Sequence, residues 1–312
     1  MPGTFCLKSC PNRWIDVTRY CLLAALLWSF SSLINAAELA IIIDDVGYNA
    51  TAGQQLVELN HAVTLAVLPF TPHGKKLANS GARYGKEIML HAPMSATRPD
   101  YADKHMLTGS MSNSQLQALL KRMLAEVPHA RGINNHMGSQ LTRETGAMHA
   151  LMHVLADRQL YFIDSRTTDK TVALDTAREN GLPAMKRDVF LDNRREKTAI
   201  TRQVQQAIQL AQRQGYAVAI GHPYPETIAV LKQLDALLAD TGVTVVPASQ
   251  LIAQHAPAAT YLPKPLPLAL CAAPPLLLWR TDAELNRLWQ DQQHRSRLKK
   301  LFYPDIVTQF ER

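Results

Sequence analysis

The feature that most constrains this chain is the segment 39–47, LAIIIDDVG, in which five apolar residues run without interruption into two adjacent carboxylates and a glycine. Such a run reads as a strand buried on both faces, as in a parallel sheet covered by helices. Burying an unpaired carboxylate is costly and two side by side repel, so Asp44 and Asp45 require a cation, a shared proton or water. The competing reading is a solvated turn in which Asp45 caps the following helix.

Four other short runs end in the same way. EIMLHAPM (87–94) places His91 after a strand-like stretch, RGINNHMGS (131–139) places His136 just past a short polar strand, YFIDSRT (161–167) ends in Asp164, and AVAIGHP (217–223) ends in His222. Strands are predicted near 39–44, 63–68, 87–90, 131–134, 160–164, 184–187, 217–221 and 243–246. Helical spacing is clearest at 113–127, 144–158, 197–214 and 225–240, with Leu116, Leu119, Leu120, Met123 and Leu124 on one apolar face. Ser112 is the expected N-cap of the first of these, and Gly215 and Gly242 are the stops of the last two. In alternating β/α chains chemistry sits at the carboxyl ends of strands, and the turn DDVG lacks the spacing of a phosphate-binding loop. A barrel of seven or eight β/α units, with one ring of polar side chains at its top, is therefore expected.

The chain has 312 residues, enough for one large α/β domain with extensions. Its net charge of +7 is not concentrated there: residues 38–255 hold 22 of the 33 Lys and Arg and 20 of the 26 Asp and Glu. That balance gives no footprint for nucleic acid. In residues 1–37, Arg13 and Arg19 precede an apolar stretch at 20–33 and then Ala36 and Ala37, the pattern of a signal peptide. The stretch is short for a stable transmembrane helix, so a periplasmic location without a lasting membrane span is expected. Cys6, Cys10 and Cys21 fall in that segment and leave Cys271 alone, so the fold must be held by its core. Residues 38–255 are the expected barrel. Residues 256–312 form a Pro-rich linker and a charged tail, with a helical pattern at 281–300, that could dock on the barrel or on a protein partner.

The ordered set IIIDDVG, LHAPM, NNHMGS, FIDSRTT, KRDVFLDN and IGHP resembles the divergent polysaccharide deacetylase family, a branch of the polysaccharide deacetylase superfamily, carbohydrate esterase family 4. The resemblance covers about two thirds of the chain and implies a distorted (β/α) barrel. It implies Asp44 as general base, Asp45 as metal ligand and His222 as general acid. The superfamily's HxxxH helix turn is absent. His91 and His136, on two different strand ends, resemble the ligand pair of the divergent branch.

One carboxylate and two neutral imidazoles leave an open position in a tetrahedral site suited to Zn2+. A water held there would ionise near neutral pH and attack an acetyl carbonyl, with Asp44 taking its proton and His222 protonating the leaving group. Asp164, Arg187, Asp188 and Asp192 are then candidates for binding substrate or orienting the imidazoles, with a structural Arg187–Asp188 salt bridge as the alternative for that pair. A cell-envelope glycan carrying acetyl groups is the expected substrate. Tyr48, Tyr101 and Tyr224 are the aromatic residues best placed to stack on it. Two other functions compete: a non-catalytic barrel that binds glycan or protein, and another metal-assisted hydrolase, an amidase or phosphoester hydrolase.

Overall fold

A computed structural model describes residues 36–98 and 105–256. The expected linker and tail from 257 onward, Cys271, Tyr101 and all of the signal segment before residue 36 lie outside them. The described strands are β1 (Ala37–Val46), β2 (Thr64–Val67), β3 (Glu87–Met94), β4 (Ala130–Met137), β5 (Tyr161–Asp164), β6 (Ala184–Lys186), β7 (Val189–Phe190), β8 (Tyr216–Gly221) and β9 (Val243–Val245). They form one parallel sheet in the order β6-β5-β4-β3-β2-β1-β8-β7, with β9 paired to the start of β1. This is the distorted (β/α) barrel expected from the sequence. Among the described residues no ladder joins β6 to β7, so the ring has a seam.

Side-chain alternation divides the core in two. Leu39, Ile41 and Ile43 of β1 face outward into the large cluster shared with the helices. Ala40 and Ile42 face inward with Ala66, Met89, Tyr161, Ile163, Met185, Val218 and Ile220. Continuing the inward parity by two residues toward the strand ends reaches Asp44 on β1, His91 on β3, Ser165 after β5 and His222 after β8. The apolar interior thus becomes polar toward the carboxyl ends of the strands. The opposite end is closed by a helix at Ala248–His255, whose Ala248, Leu251 and Ile252 complete the inner cluster. Glu87 lies beneath it, and its Oε1 accepts the Tyr161 hydroxyl at 2.7 Å and the Ser249 N–H at 3.0 Å. A carboxylate at a helix N-terminus meets unpaired N–H groups and the positive end of the helix dipole.

The helices are α1 (Ala50–Val57), α2 (Gly74–Arg83), α3 (Asn113–Glu126), α4 (Thr145–Asp157), α5 (Ala173–Glu179), α6 (Lys197–Gln214), α7 (Pro225–Leu231), α8 (Leu234–Leu238) and α9 (Ala248–His255). Helix α3 has the five buried residues expected of it and a Ser112–Gln115 capping box. Gly215 ends α6 with φ 90. The single helix expected at 225–240 is instead the pair α7 and α8, broken at Lys232 and Gln233. Helices α1, α2, α5 and α9 and the two-residue β7 did not stand out in the sequence. All are ten residues or shorter, too few turns for a periodic pattern to emerge. Strands β3 and β4 run further than expected, through Met94 and Met137, because their mutual ladder continues past the last apolar residue.

Candidate metal centre and its flanking acid and base

Asp44 and Asp45 share one site because β1 is irregular there. Ile43 pairs with Leu65 and Val46 with Val67, so two residues of β1 stand against one of β2. This is a β-bulge, which re-aims a side chain. Asp45 takes a left-handed conformation, φ 56, and its carboxylate, which alternation would send outward, turns in beside that of Asp44. The competing role as a helix cap belongs to Asn49, whose side chain accepts the Ala52 N–H at 3.0 Å.

Asp45 Oδ1 lies 2.9 Å from His136 Nδ1 and 3.2 Å from His91 Nε2, and those two nitrogens are 3.1 Å apart. Asp45 Oδ1 is nevertheless buried without a hydrogen-bond partner. Three donor atoms converging so closely, one of them an orphaned carboxylate oxygen, make a group that could hold a metal ion. A tetrahedral ion with ligands at about 2.0–2.1 Å sets their mutual spacing at a little over 3 Å, and a carboxylate with two imidazoles is a donor set that zinc accepts. The residues therefore fit the implied metal.

Asn134, buried on β4, fixes the rest. Its Oδ1 lies 2.7 Å from His91 Nδ1, and its Nδ2 donates to Asp44 Oδ1 at 2.7 Å. The His91 proton is thereby held on Nδ1, leaving the Nε2 lone pair for Asp45's side of the site. Asn135, its neighbour, accepts the Ser165 N–H and donates to the Met137 carbonyl, tying β4 to the loop after β5. Neither asparagine was singled out from the sequence. Two amides within a buried strand were the available signal.

His222 Nδ1 lies 2.9 Å from Asp192 Oδ1, and Asp192 Oδ2 accepts the His222 N–H and the Thr227 hydroxyl. This leaves His222 Nε2 facing the cluster, 3.9 Å from Asp45 Oδ2. Phe190 meets the His222 ring edge-on at 5.5 Å, and Tyr224 stacks on it at 5.4 Å.

The electrostatics follow from burial and these partners. Burial raises the Asp44 carboxyl above its ordinary value, opposed by His91 and Asn134. Burial would do the same to Asp45, but His136 and His91 outweigh it and hold that carboxyl well below the usual range. Burial alone would lower His91, but Asp44 and then Asp45 lift it to about 9. These two directions belong to the cluster without a cation, which would compete with the proton for the same nitrogen. Burial would likewise lower His222, and Asp192 overrides it to raise the value.

Of the other expected site residues, Asp192 orients His222 and Arg187 lines the seam. Asp164 shapes the loop after β5, accepting the Arg166 N–H at 2.8 Å and the Thr171 hydroxyl at 3.0 Å. Asp188 does not join the cluster; its Oδ2 accepts the Val218 N–H at 2.9 Å and so secures β8 beside β7. Arg187 and Asp188 form no salt bridge with each other, because Arg187 instead donates to the Ser165 and Arg166 carbonyls. Tyr48 is exposed, whereas Tyr224 is held against His222.

A parallel (β/α) barrel with an open carboxylate–imidazole cluster at the carboxyl ends of its strands defines a class, the barrels of the polysaccharide deacetylase type. Within it, the chain belongs to the divergent polysaccharide deacetylase family, whose profile matches residues 41–252. It is 38% identical over 234 residues to the uncharacterized protein YibQ of Escherichia coli (strain K12), covering 75% of this chain and 73% of that one. It is 36% identical to an uncharacterized protein of Haemophilus influenzae (strain ATCC 51907 / DSM 11121 / KW20 / Rd), covering 67% and 74%. The crystal structure of an uncharacterized protein from Agrobacterium tumefaciens C58 shares the fold, with a TM-score of 0.67 at 22% identity over 70% of this chain and 91% of that one.

Proposed function

We propose that this protein is a zinc-dependent deacetylase that removes acetyl groups from a cell-envelope glycan in the periplasm. The observation that carries the reading is the convergence of Asp45 Oδ1, His91 Nε2 and His136 Nδ1, with the Asp45 oxygen buried and unpartnered, between a buried carboxylate and a carboxylate-backed imidazole. Membership of the family supports a glycan substrate. The signal-like pattern of residues 1–37 supports export. Among the described residues no helix is long and apolar enough to cross a membrane.

Zinc bound by Asp45, His91 and His136 would supply Lewis acidity, easing ionisation of water and polarising the acetyl carbonyl. Asp44 takes the proton of the attacking water on Oδ2, the oxygen not engaged by Asn134. The water oxygen bonds to the acetyl carbon. As the bond to the sugar nitrogen or oxygen breaks, His222 Nε2 delivers its proton to that atom, its Nδ1–H being held by Asp192. Acetate and the free amine or hydroxyl leave.

Elemental analysis of the purified protein beside Asp45→Ala and His91→Ala/His136→Ala tests this, together with acetate release from N- and O-acetylated glycans. Near-stoichiometric zinc, lost with acetate release in both variants, is expected. If Asp45→Ala kept both its metal and its hydrolysis, the reading would fail.

A further inference from the structure

Beside the metal cluster, the loop after β5 and the crossing from β6 to β7 bring two arginines together. Arg187 reaches over the seam: its Nε donates to the Ser165 carbonyl at 2.8 Å and its Nη2 to the Arg166 carbonyl at 3.0 Å, while its guanidinium carbon lies 5.0 Å over the Phe190 ring. A guanidinium carries five N–H donors, and those of Nη1 meet no acceptor among the described residues. Arg166 adopts a left-handed conformation, φ 54, secured by its N–H to Asp164. Neither arginine is in an ion pair among the described residues. Burial is the largest influence on Arg187 and lowers its pKa from the ordinary value, whereas Asp44, Asp164 and Asp188 favour its charge from beyond ion-pair distance and the like charge of Arg166 opposes it.

The residue whose carbonyl accepts the Arg187 Nε–H supplies a third group. Ser165 is buried, and its hydroxyl has no partner. The inward parity of Tyr161 and Ile163 carries it to the polar end of the barrel. Two half-buried guanidinia, neither in an ion pair with a carboxylate among the described residues, and one buried unpaired hydroxyl leave hydrogen-bond donors unmatched, and a planar guanidinium matches a carboxylate or phosphate with paired hydrogen bonds.

We infer that Arg166, Arg187 and the Ser165 hydroxyl form an anion subsite next to the metal cluster, which receives a carboxylate or phosphate group of the substrate. That the anion belongs to a glycan rests on the proposed deacetylase function; the subsite itself does not. The enzyme would thus select acidic over neutral acetylated sugars, anchoring the charged substituent while the acetyl group lies over the metal cluster.

Titration calorimetry of the full chain with N-acetylmuramic acid, N-acetylglucosamine 6-phosphate and N-acetylglucosamine tests this, with the protein zinc-loaded and again after chelation. The expected result is that at least one acidic sugar binds about tenfold or more tightly than the neutral one, before and after chelation, and that salt weakens the difference. The sugar showing the preference identifies carboxylate or phosphate as the anion. Arg166→Gln and Arg187→Gln should each abolish the preference with zinc content unchanged, Arg166→Gln with its thermal midpoint unchanged as well and Arg187→Gln with a lowered one, because its bonds to the Ser165 and Arg166 carbonyls are lost. Arg187→Lys, which keeps the charge without the fork, should recover it only in part. Equal binding, or none, by all three sugars would overturn the subsite. So would a preference lost on chelation yet indifferent to both arginine substitutions, because the anion would then sit on the metal. If Arg187→Gln does not fold, Arg166→Gln decides. Failure of the deacetylase reading shows separately, as zinc retained by Asp45→Ala or as acetate never released while acidic sugars still bind.

Discussion

Asn134 gives the site its internal order, since one amide faces His91 with its oxygen and Asp44 with its nitrogen. Asn134→Ala should weaken zinc binding by about 10- to 100-fold, the usual effect of removing a ligand's hydrogen-bond partner; competition with a chelator measures it, and unchanged affinity would contradict the role. His222 supplies a pH test. To act as an acid it must hold its proton, and Asp192 raises its value above 6.5. Acetate release should therefore fall as pH rises through that raised value, and Asp192→Asn should move the alkaline limb of the profile to lower pH. Stability follows the same proton. The His222–Asp192 contribution is complete below the unfolded value of about 6.5 and is lost as pH rises through the folded one. The gap in urea midpoint between the natural protein and Asp192→Asn should accordingly narrow from acidic to alkaline pH. These residues were unequally legible. His91, His136 and His222 were visible as polar endings of apolar runs, but the bridging of Asn134 requires β3 and β4 to be adjacent in register, with His91 opposite Asn134.

At the scale of elements, the five runs that end in a carboxylate or an imidazole all became strands, because a short run buried on both faces has few alternatives in a β/α chain. The bulge in β1 was not legible. Period-two alternation sends Asp44 and Asp45 to opposite faces, and only the extra residue against β2 and the left-handed turn at Asp45 reunite them. Arg166 and Met137, with φ 54 each, turn two further strand ends in the same unfavourable region. Such conformations depend on neighbours distant in sequence. Close packing between β4 and β5 makes a sharper test. A Cβ on Gly132 would come within 2.2 Å of the Tyr161 ring, so Gly132→Ala should destabilise by about 1–3 kcal/mol, the usual cost of overpacking. Urea denaturation would measure it, and an unchanged midpoint would show that the ring moves aside.

For the whole molecule, the barrel has one chemical end and one sealed end. Leu251 of α9 is fully buried within the inner cluster, and Leu251→Ala should cost about 2–5 kcal/mol while leaving zinc stoichiometry intact in the folded fraction. Loss of zinc without loss of stability would show instead that the two ends communicate. The seam between β6 and β7 gives those ends a lateral direction as well. Asp45, His91 and His136 stand on β1, β3 and β4, each flanked by ladders on both sides, whereas Asp192 follows β7 at the seam's edge. Opening that begins at an unlaced edge proceeds strand by strand. Amide hydrogen exchange should therefore be slowest in β1, β3 and β4 and faster in β6 and β7, so that the flank of the site carrying Asp192 loosens before the flank carrying Asp45, His91 and His136.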